Sequence, residues 1–281
     1  MRIVLACNTE RGRRVLAALA RLAPGAGLEV FCGREEGGEP AFVENLAREA
    51  AAANARFRES TSLEGVEEAD LLLMVNWRRL VPMEVCGRMR LGAFVFHDSL
   101  LPEYRGFSPT VWAMVNGEDH TGVTLLEAVA EADQGDIVDQ ARVPIGPEET
   151  IAEVMERVTG TYLELLERNL PALVTGAAQR RPQDPARASW ARKRTPDDNR
   201  IDWSQPAKKA FDLVRGVTRP YAGAFTDLEG GRLRVWAARL DDAASGPPGT
   251  VLRTEPGRGL LVAAGSGGLW LTEFSREEPT A

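Results

Sequence analysis

The sequence predicts an α/β fold, a Rossmann-like, mostly parallel sheet flanked by helices and followed by a smaller β domain. Three patterns carry this. The apolar runs over 3–7 and 71–75 lack the alternation of half-exposed strands and fit strands covered on both faces. Helical periodicities stand between such runs from the start of the chain, as parallel strands joined by crossovers require. Beyond residue 217 the pattern becomes short apolar runs separated by Gly and Asp turns.

Residues 3–7 form the first strand, and the turn Asn8-Thr9-Glu10 leads into a helix over 11–22 with Val15, Leu16, Leu19 and Leu22 at helical spacing. A second strand spans 28–32, a polar loop 33–40, an Ala-rich helix 41–53 and a third strand 71–75. Only Gly12 stands near the first turn, so the glycine fingerprint that grips a dinucleotide pyrophosphate is missing. Residues 93–96 read as a buried strand ending at His97, 109–115 as a helix, and 122–129 and 137–143 as strands. Thr150 and Glu153 fit a capping box. The helix behind it carries Ile151, Val154, Met155, Val158, Tyr162, Leu165 and Leu166 on one stripe. Residues 179–199 mix Pro182, Pro185 and Pro196 with charged residues and are expected to drape over the surface as an extended connection. A helix over 206–217 presents Ala207, Ala210, Phe211, Val214 and Val217 on one face. The expected division is a larger domain over 1–180, a linker over 181–205 and a β domain over 206–281.

Composition narrows the function. Hydrophobic residues make up 44% of 281, enough for an ordinary core. A net charge of −7 argues against a broad nucleic-acid surface, which needs clustered Lys and Arg. Cys7, Cys32 and Cys86 show no paired metal spacing, and the first two, in apolar runs, are expected to be buried free thiols. No apolar run reaches the ~18 residues of a membrane span, and residues 1–6 are shorter than a signal peptide. The expectation is a cytoplasmic protein with no metal, no membrane and no nucleic-acid partner.

The chain has two histidines. His97 stands where a strand ends, the place where open α/β sheets bind ligands, and imidazole exchanges protons near neutral pH. His120, between Asp119 and Thr121, reads as a surface turn residue. Asp133 and Asp136 flank Gln134-Gly135 in a loop entering the next strand, and Asp136 is assigned to loop structure.

Four ordered segments belong together: Phe96-His97-Asp98-Ser99-Leu100-Leu101-Pro102-Glu103-Tyr104-Arg105-Gly106, then Asn116-Gly117, then Thr121-Gly122-Val123-Thr124, then Ala132-Asp133-Gln134-Gly135-Asp136-Ile137. With Asp198-Asn199-Arg200-Ile201-Asp202-Trp203 and Arg219-Pro220-Tyr221-Ala222-Gly223, the sequence resembles the folate-dependent formyltransferases. These include methionyl-tRNA formyltransferase, glycinamide ribonucleotide formyltransferase and the sugar-amine N-formyltransferases. The resemblance covers nearly the whole chain. It implies that a formyl group passes from 10-formyltetrahydrofolate to an amine, and that the C-terminal domain is barrel-like, in the manner of an OB fold. The family pattern, Asn-x-His plus a later Asp, falls on Val95, His97 and Asp133, so valine stands at the asparagine position. The resemblance also implies that Asn76, Trp77, Arg78, Leu80, Val81 and Pro82, with Ala130, Glu131 and Ala132, bind the cofactor. Trp77 and Leu80 would wall the flat ring. Asn8, Ser99, Leu100, Leu101, Pro102, Tyr104, Arg105 and Gly106 are the implied substrate contacts.

The residue chemistry agrees. Attack of an amine on a formyl carbon builds negative charge on the formyl oxygen and requires a proton to leave the amine. An imidazole serves either need, and a carboxylate beside it orients the ring. Valine cannot donate to the oxygen, and loss of one such donor costs about 10²–10³ in rate. Three readings stay open. A backbone N–H, a water or a side chain such as Asn76 or Asn116 replaces the donor; the enzyme transfers another one-carbon or carbamoyl unit; or the chain binds folate or a sugar nucleotide with weak catalysis. The loop Gly33-Arg34-Glu35-Glu36-Gly37-Gly38-Glu39-Pro40 is short and acidic where the tRNA enzymes carry a basic insertion, and acid repels phosphate. A small-molecule amine is therefore the expected acceptor, either a nucleotide-linked amino sugar or an amino-acid-like biosynthetic intermediate. The C-terminal domain is expected to bind the acceptor, cover the site or join two copies into a homodimer.

Overall fold

The apolar runs of the first half of the chain build a seven-stranded sheet in the computed structural model, which describes residues 1–34, 41–228 and 230–277. Positions 35–40 of the acidic loop lie outside the described residues. The elements are β1 (Arg2–Cys7), α1 (Thr9–Leu22), β2 (Gly27–Cys32), α2 (Ala41–Ala52), β3 (Arg56–Glu59), β4 (Leu71–Val75), α3 (Met83–Cys86), β5 (Ala93–His97), the two-residue β6 (Arg105–Gly106), α4 (Pro109–Asn116), β7 (His120–Glu127), β8 (Ile137–Pro144) and α5 (Ile151–Thr175). The sheet order is β3-β2-β1-β4-β5-β7-β8. The first five of these run parallel, and β7 pairs antiparallel with β5.

The period of two along each strand sorts side chains between the faces. Val4, Ala6, Phe31, Leu72, Met74 and Ala93 join Val85, Cys86 and Met89 in one cluster. Phe96 points to the other face and stacks on Tyr162 of α5 with ring centroids 5.0 Å apart. Strand β3 escapes the hydrophobic pattern because its register rests on charge. Glu29 of β2 is buried and meets Arg2 of β1 at 2.5 Å and Arg58 of β3 at 2.5 Å. Cross-strand ion pairs of this kind stand in for apolar contacts at a sheet edge. All three cysteines are free and buried, and burial pushes the Cys7 thiol pKa up.

The chain folds as two compact units that are discontinuous in sequence. One holds Met1–Gly106, Gly122–Val143 and Arg157–Trp190; the other holds Phe107–Thr121, Pro144–Glu156 and Ala191–Ala281. This differs from a linear division at 180 and 205. Residues 181–190 lie over the surface as expected, mostly exposed, and group with the sheet because they bond to its loops. At the start of α5, the Thr150 N–H and hydroxyl both donate to Glu153 Oε2, at 2.8 and 2.7 Å, which supplies the glutamate half of the expected capping box.

In the second unit, after β9 (Trp190–Ala191), come α6 (Ala207–Val217), β10 (Ala224–Leu228), β11 (Gly231–Asp241), β12 (Val251–Glu255), β13 (Gly259–Ala263) and β14 (Gly268–Arg276). Helix α6 buries the five expected apolar residues. The five long strands form an antiparallel sheet in the order β10-β11-β14-β13-β12, with β10 and β12 at its edges. Hydrogen bonds from Arg232 and then Arg200 hold the Asp227 carboxyl down to about 2, against an ordinary 3.8. A carboxylate lowered on folding stabilises the fold above its unfolded pKa, and that contribution disappears as pH falls through the folded one. Thermal melts of wild type should therefore lose an increment between about pH 4 and 2 that Asp227→Asn lacks; parallel curves would refute this. Among the described residues no helix is long and apolar enough to cross a membrane.

Candidate active site

Strand order reverses between β1 and β4, and the crevice at such a switch point is the usual ligand site of open α/β sheets. Asn8 is buried there. Its N–H donates to the Val75 carbonyl (3.2 Å), its Nδ2 to the Asn76 carbonyl (3.3 Å), and its Oδ1 accepts from the Gly33 N–H (3.3 Å). Asn76 Nδ2 in turn donates to Thr9 Oγ1 at 3.1 Å. The amide of Asn8 thus ties together the ends of β1, β2 and β4. Thr9 and Asn76 sit at φ +64° and +51°, in the left-handed region that side chains rarely occupy without surrounding support.

His97 ends β5 on the same face as Val95. Its Nδ1 lies 3.4 Å from Asp133 Oδ1, and its Nε2 is 2.9 Å from the Tyr104 carbonyl. A carbonyl only accepts, so Nε2 carries the hydrogen and Nδ1 faces the carboxylate. The two residues of the pair are separated by 36 positions (133 − 97) in sequence. The other oxygen of Asp133, Oδ2, accepts from the Gly106 N–H at 2.9 Å. Both Asp133 and Tyr104 are left-handed, at φ +59° and +58°. Gly135 permits the turn, since a Cβ there would stand 1.8 Å from the Glu127 carbonyl oxygen.

The loop after His97 is held from within. Ser99 Oγ donates to the Glu103 carbonyl (2.6 Å), and Thr124 Oγ1 donates to the Ser99 carbonyl (2.7 Å) and accepts from the Leu101 N–H (3.1 Å). Gln140 Nε2 closes on the Leu101 carbonyl at 2.8 Å. Ser99, Leu101, Pro102 and Arg105 are buried and shape this loop; Leu100, Tyr104 and Gly106 are half-buried. Trp77, Val81, Val95 and Ala128 are partly buried and pack on one cluster, while Arg78, Leu80, Pro82, Ala130, Glu131 and Ala132 are exposed, Leu80 at 73%. Asn76 has its amide on Thr9, and Asn116 belongs to the other unit. Asn8, Asn76 and His97 thus stand at the carboxyl ends of β1, β4 and β5, and of the two adjacent apolar residues Val81 packs on the cluster while Leu80 is exposed.

Two groups of residues escaped sequence reasoning. Arg11 of α1 grips Asp98 with Nη1, at 2.6 and 2.9 Å, and the Tyr162 hydroxyl donates to the same carboxylate. This anchors the residue after His97 to both helices behind the sheet. Burial is the largest single influence on Arg11 and would lower its pKa, but Asp98 and Tyr162 together, through charge and hydrogen bonding, outweigh it and the net shift is upward; burial pushes the Tyr162 hydroxyl well up. The signal was a charged residue, Arg11, on the apolar side of α1. Gln183, in the stretch read as a surface connection, is the second. Among the described residues no cluster of His, Cys, Asp and Glu is arranged to hold a metal ion.

Comparison with known proteins adds the following. The family described as "Formyl transferase" matches residues 29–170, and the one described as "Formyl transferase, C-terminal domain" matches 193–280. Among solved structures, an N-formyltransferase from Helicobacter canadensis in complex with folinic acid and dTDP-3-aminofucose is similar at 15% identity and a TM-score of 0.75, covering 96% of this chain and 98% of that one. A 4-N formyltransferase from Francisella tularensis is similar at 19% identity and a TM-score of 0.67, covering 82% and 93%. HypX from Aquifex aeolicus, in complex with tetrahydrofolic acid, is similar at 21% identity and a TM-score of 0.66. This chain is covered to 99% but spans only 44% of HypX.

Proposed function

Since the chain belongs to the formyl transferase family, we propose that it passes the formyl group of 10-formyltetrahydrofolate to the amine of a small molecule, an amino-sugar nucleotide or an amino-acid-like intermediate. The observation that carries this reading is the approach of His97 Nδ1 to Asp133 Oδ1 at a strand end. The dTDP-amino sugar bound by the Helicobacter canadensis enzyme supports the acceptor class.

The chain's own residues fit the donor. Trp77, Val81, Val95 and Ala128 offer an apolar rim for a flat ring beside the loop that carries Asp133. When bound, 10-formyltetrahydrofolate supplies an activated formyl carbon. His97 holds a hydrogen at Nε2, now spent on the Tyr104 carbonyl. A substrate oxygen that takes the place of this carbonyl receives that hydrogen bond, which stabilises developing negative charge. Asp133 accepts the proton that leaves the amine, directly or through Nδ1. Its second oxygen stays on the Gly106 N–H, which keeps the carboxylate from turning away.

Val95 packs against Leu101, Leu126 and Ile137 as well as the larger cluster. An amide there would displace apolar contacts. Val95→Asn is expected to fold with a loss of about 1–3 kcal/mol, measured by denaturant titration. It should bind folate more weakly and gain no rate. A gain of the size of a restored donor, about 10²-fold, would instead mean that valine is a missing donor.

The reading is tested by incubating the protein with 10-formyltetrahydrofolate and a panel of amines, following formylated product and released tetrahydrofolate. Equal amounts of both from one amine support it. Tight folate binding with no turnover on any amine overturns it in favour of a binding role.

A further inference from the structure

Residues 181–190 strap both loops of the candidate site. Arg181 exchanges two backbone hydrogen bonds with Ile137, at 2.8 and 2.9 Å, which fixes the strap at the exit of the Asp133 loop. Two residues on, Gln183 Nε2 donates to the Asp133 carbonyl and the Gly135 carbonyl, both at 2.8 Å. Its Oε1 accepts from Arg105 Nε (3.1 Å) and Nη2 (2.7 Å). The amide orientation follows from its partners, because the two carbonyls only accept and the guanidinium only donates. Arg105 is buried, reaches Gln134 Oε1 at 3.3 Å, and lies 5.7 Å from the Trp190 ring. Farther along, the Ser189 carbonyl accepts from the Arg105 N–H (2.9 Å) and Ser189 Oγ from the Tyr104 N–H (2.9 Å).

Asp133 needs this support. A non-glycine residue at φ +59° persists only where its surroundings over-determine the backbone. Gln183 clamps the carbonyls on both sides of Gln134 with one planar group, and the same group holds the Arg105 side chain next to Gly106. We propose that Gln183 is a positioning residue for formyl transfer: it fixes the left-handed backbone of Asp133 so that the carboxylate meets His97 and the Gly106 N–H together. It acts through Asp133 and touches no reacting atom. The role in catalysis rests on the function proposed above; the hold on the loop does not.

Two variants separate the parts. Gln183→Glu keeps the length and the acceptors for Arg105 but removes both donors to the loop. Gln183→Met keeps the shape, removes donors and acceptor, and adds no charge. In the ligand-free protein, amide hydrogen exchange over 129–137 should accelerate at least about tenfold in both variants, with β1 unchanged. With a turned-over amine, kcat should fall about 10–10²-fold while KM for amine and donor stays within about threefold, as expected for a displaced catalytic group in an intact pocket. Unchanged exchange overturns the proposal. So does acceleration throughout the sheet, which marks a general structural role, or wild-type kcat despite a loosened loop. Wild type without turnover on any amine refutes the formyl-transfer reading instead, and exchange alone then decides whether Gln183 holds Asp133.

Discussion

His97→Ala is expected to lower formyl transfer by about 10²–10⁴-fold, the range for loss of a positioned acid–base group. Asp133→Asn should cost at least about 10²-fold, although its side-chain oxygen can still accept from the Gly106 N–H. The comparison matters because the two variants remove different things. Alanine at 97 removes both the Nε2 hydrogen and the ring that relays the proton. Asparagine at 133 preserves the loop anchor and removes the negative charge facing Nδ1 and, with it, the proton acceptor. Initial rates of product formation and tetrahydrofolate release, on proteins matched for thermal midpoint, check both. Rates within about threefold of wild type for either would refute the assigned role. The double variant should be little worse than His97→Ala alone, because groups that act as a unit do not contribute additively.

The second large effect is on stability. Arg11→Met should destabilise the protein by about 3 kcal/mol, because it removes the buried guanidinium that pairs with the Asp98 carboxylate. Asp98 keeps some solvent contact, with its side chain 17% exposed, so the low end of the range for a broken buried pair applies. The thermal midpoint should fall by about 6–12 °C. Adding Asp98→Asn should recover part of the loss, since it removes the carboxylate charge that Arg11 had neutralised. A midpoint within about 2 °C of wild type for Arg11→Met would show that the pair contributes little.

Much of the fold was legible in the sequence. The runs over 3–7 and 71–75 and the stripe of α5 are local patterns, each settled by burial of neighbours two to four residues apart. Strand β3 was not legible, because Arg56, Arg58 and Glu59 hide its single apolar residue, Phe57, and its register depends on Glu29 in another strand. Nor was the role of 181–190, whose polar side chains have no periodicity and gain meaning only from the carbonyls they meet.

The site divides in the same way. By itself the sequence determined the α/β class, the strand-end position of His97, the residue type at 95 and 133, and the resemblance that joined them. Tertiary structure decided that Asp133 reaches Nδ1, that the Tyr104 carbonyl takes Nε2, that Asn8 and Ser99 are spent on the fold, and that Gln183 and Arg11 stand behind the pair. The physical reason is distance along the chain. A helix or strand is written within a few residues, whereas these contacts close spans of 36 (133 − 97), 50 (183 − 133) and 87 (98 − 11) residues. Strand order sets which loop ends meet, and no local pattern encodes it.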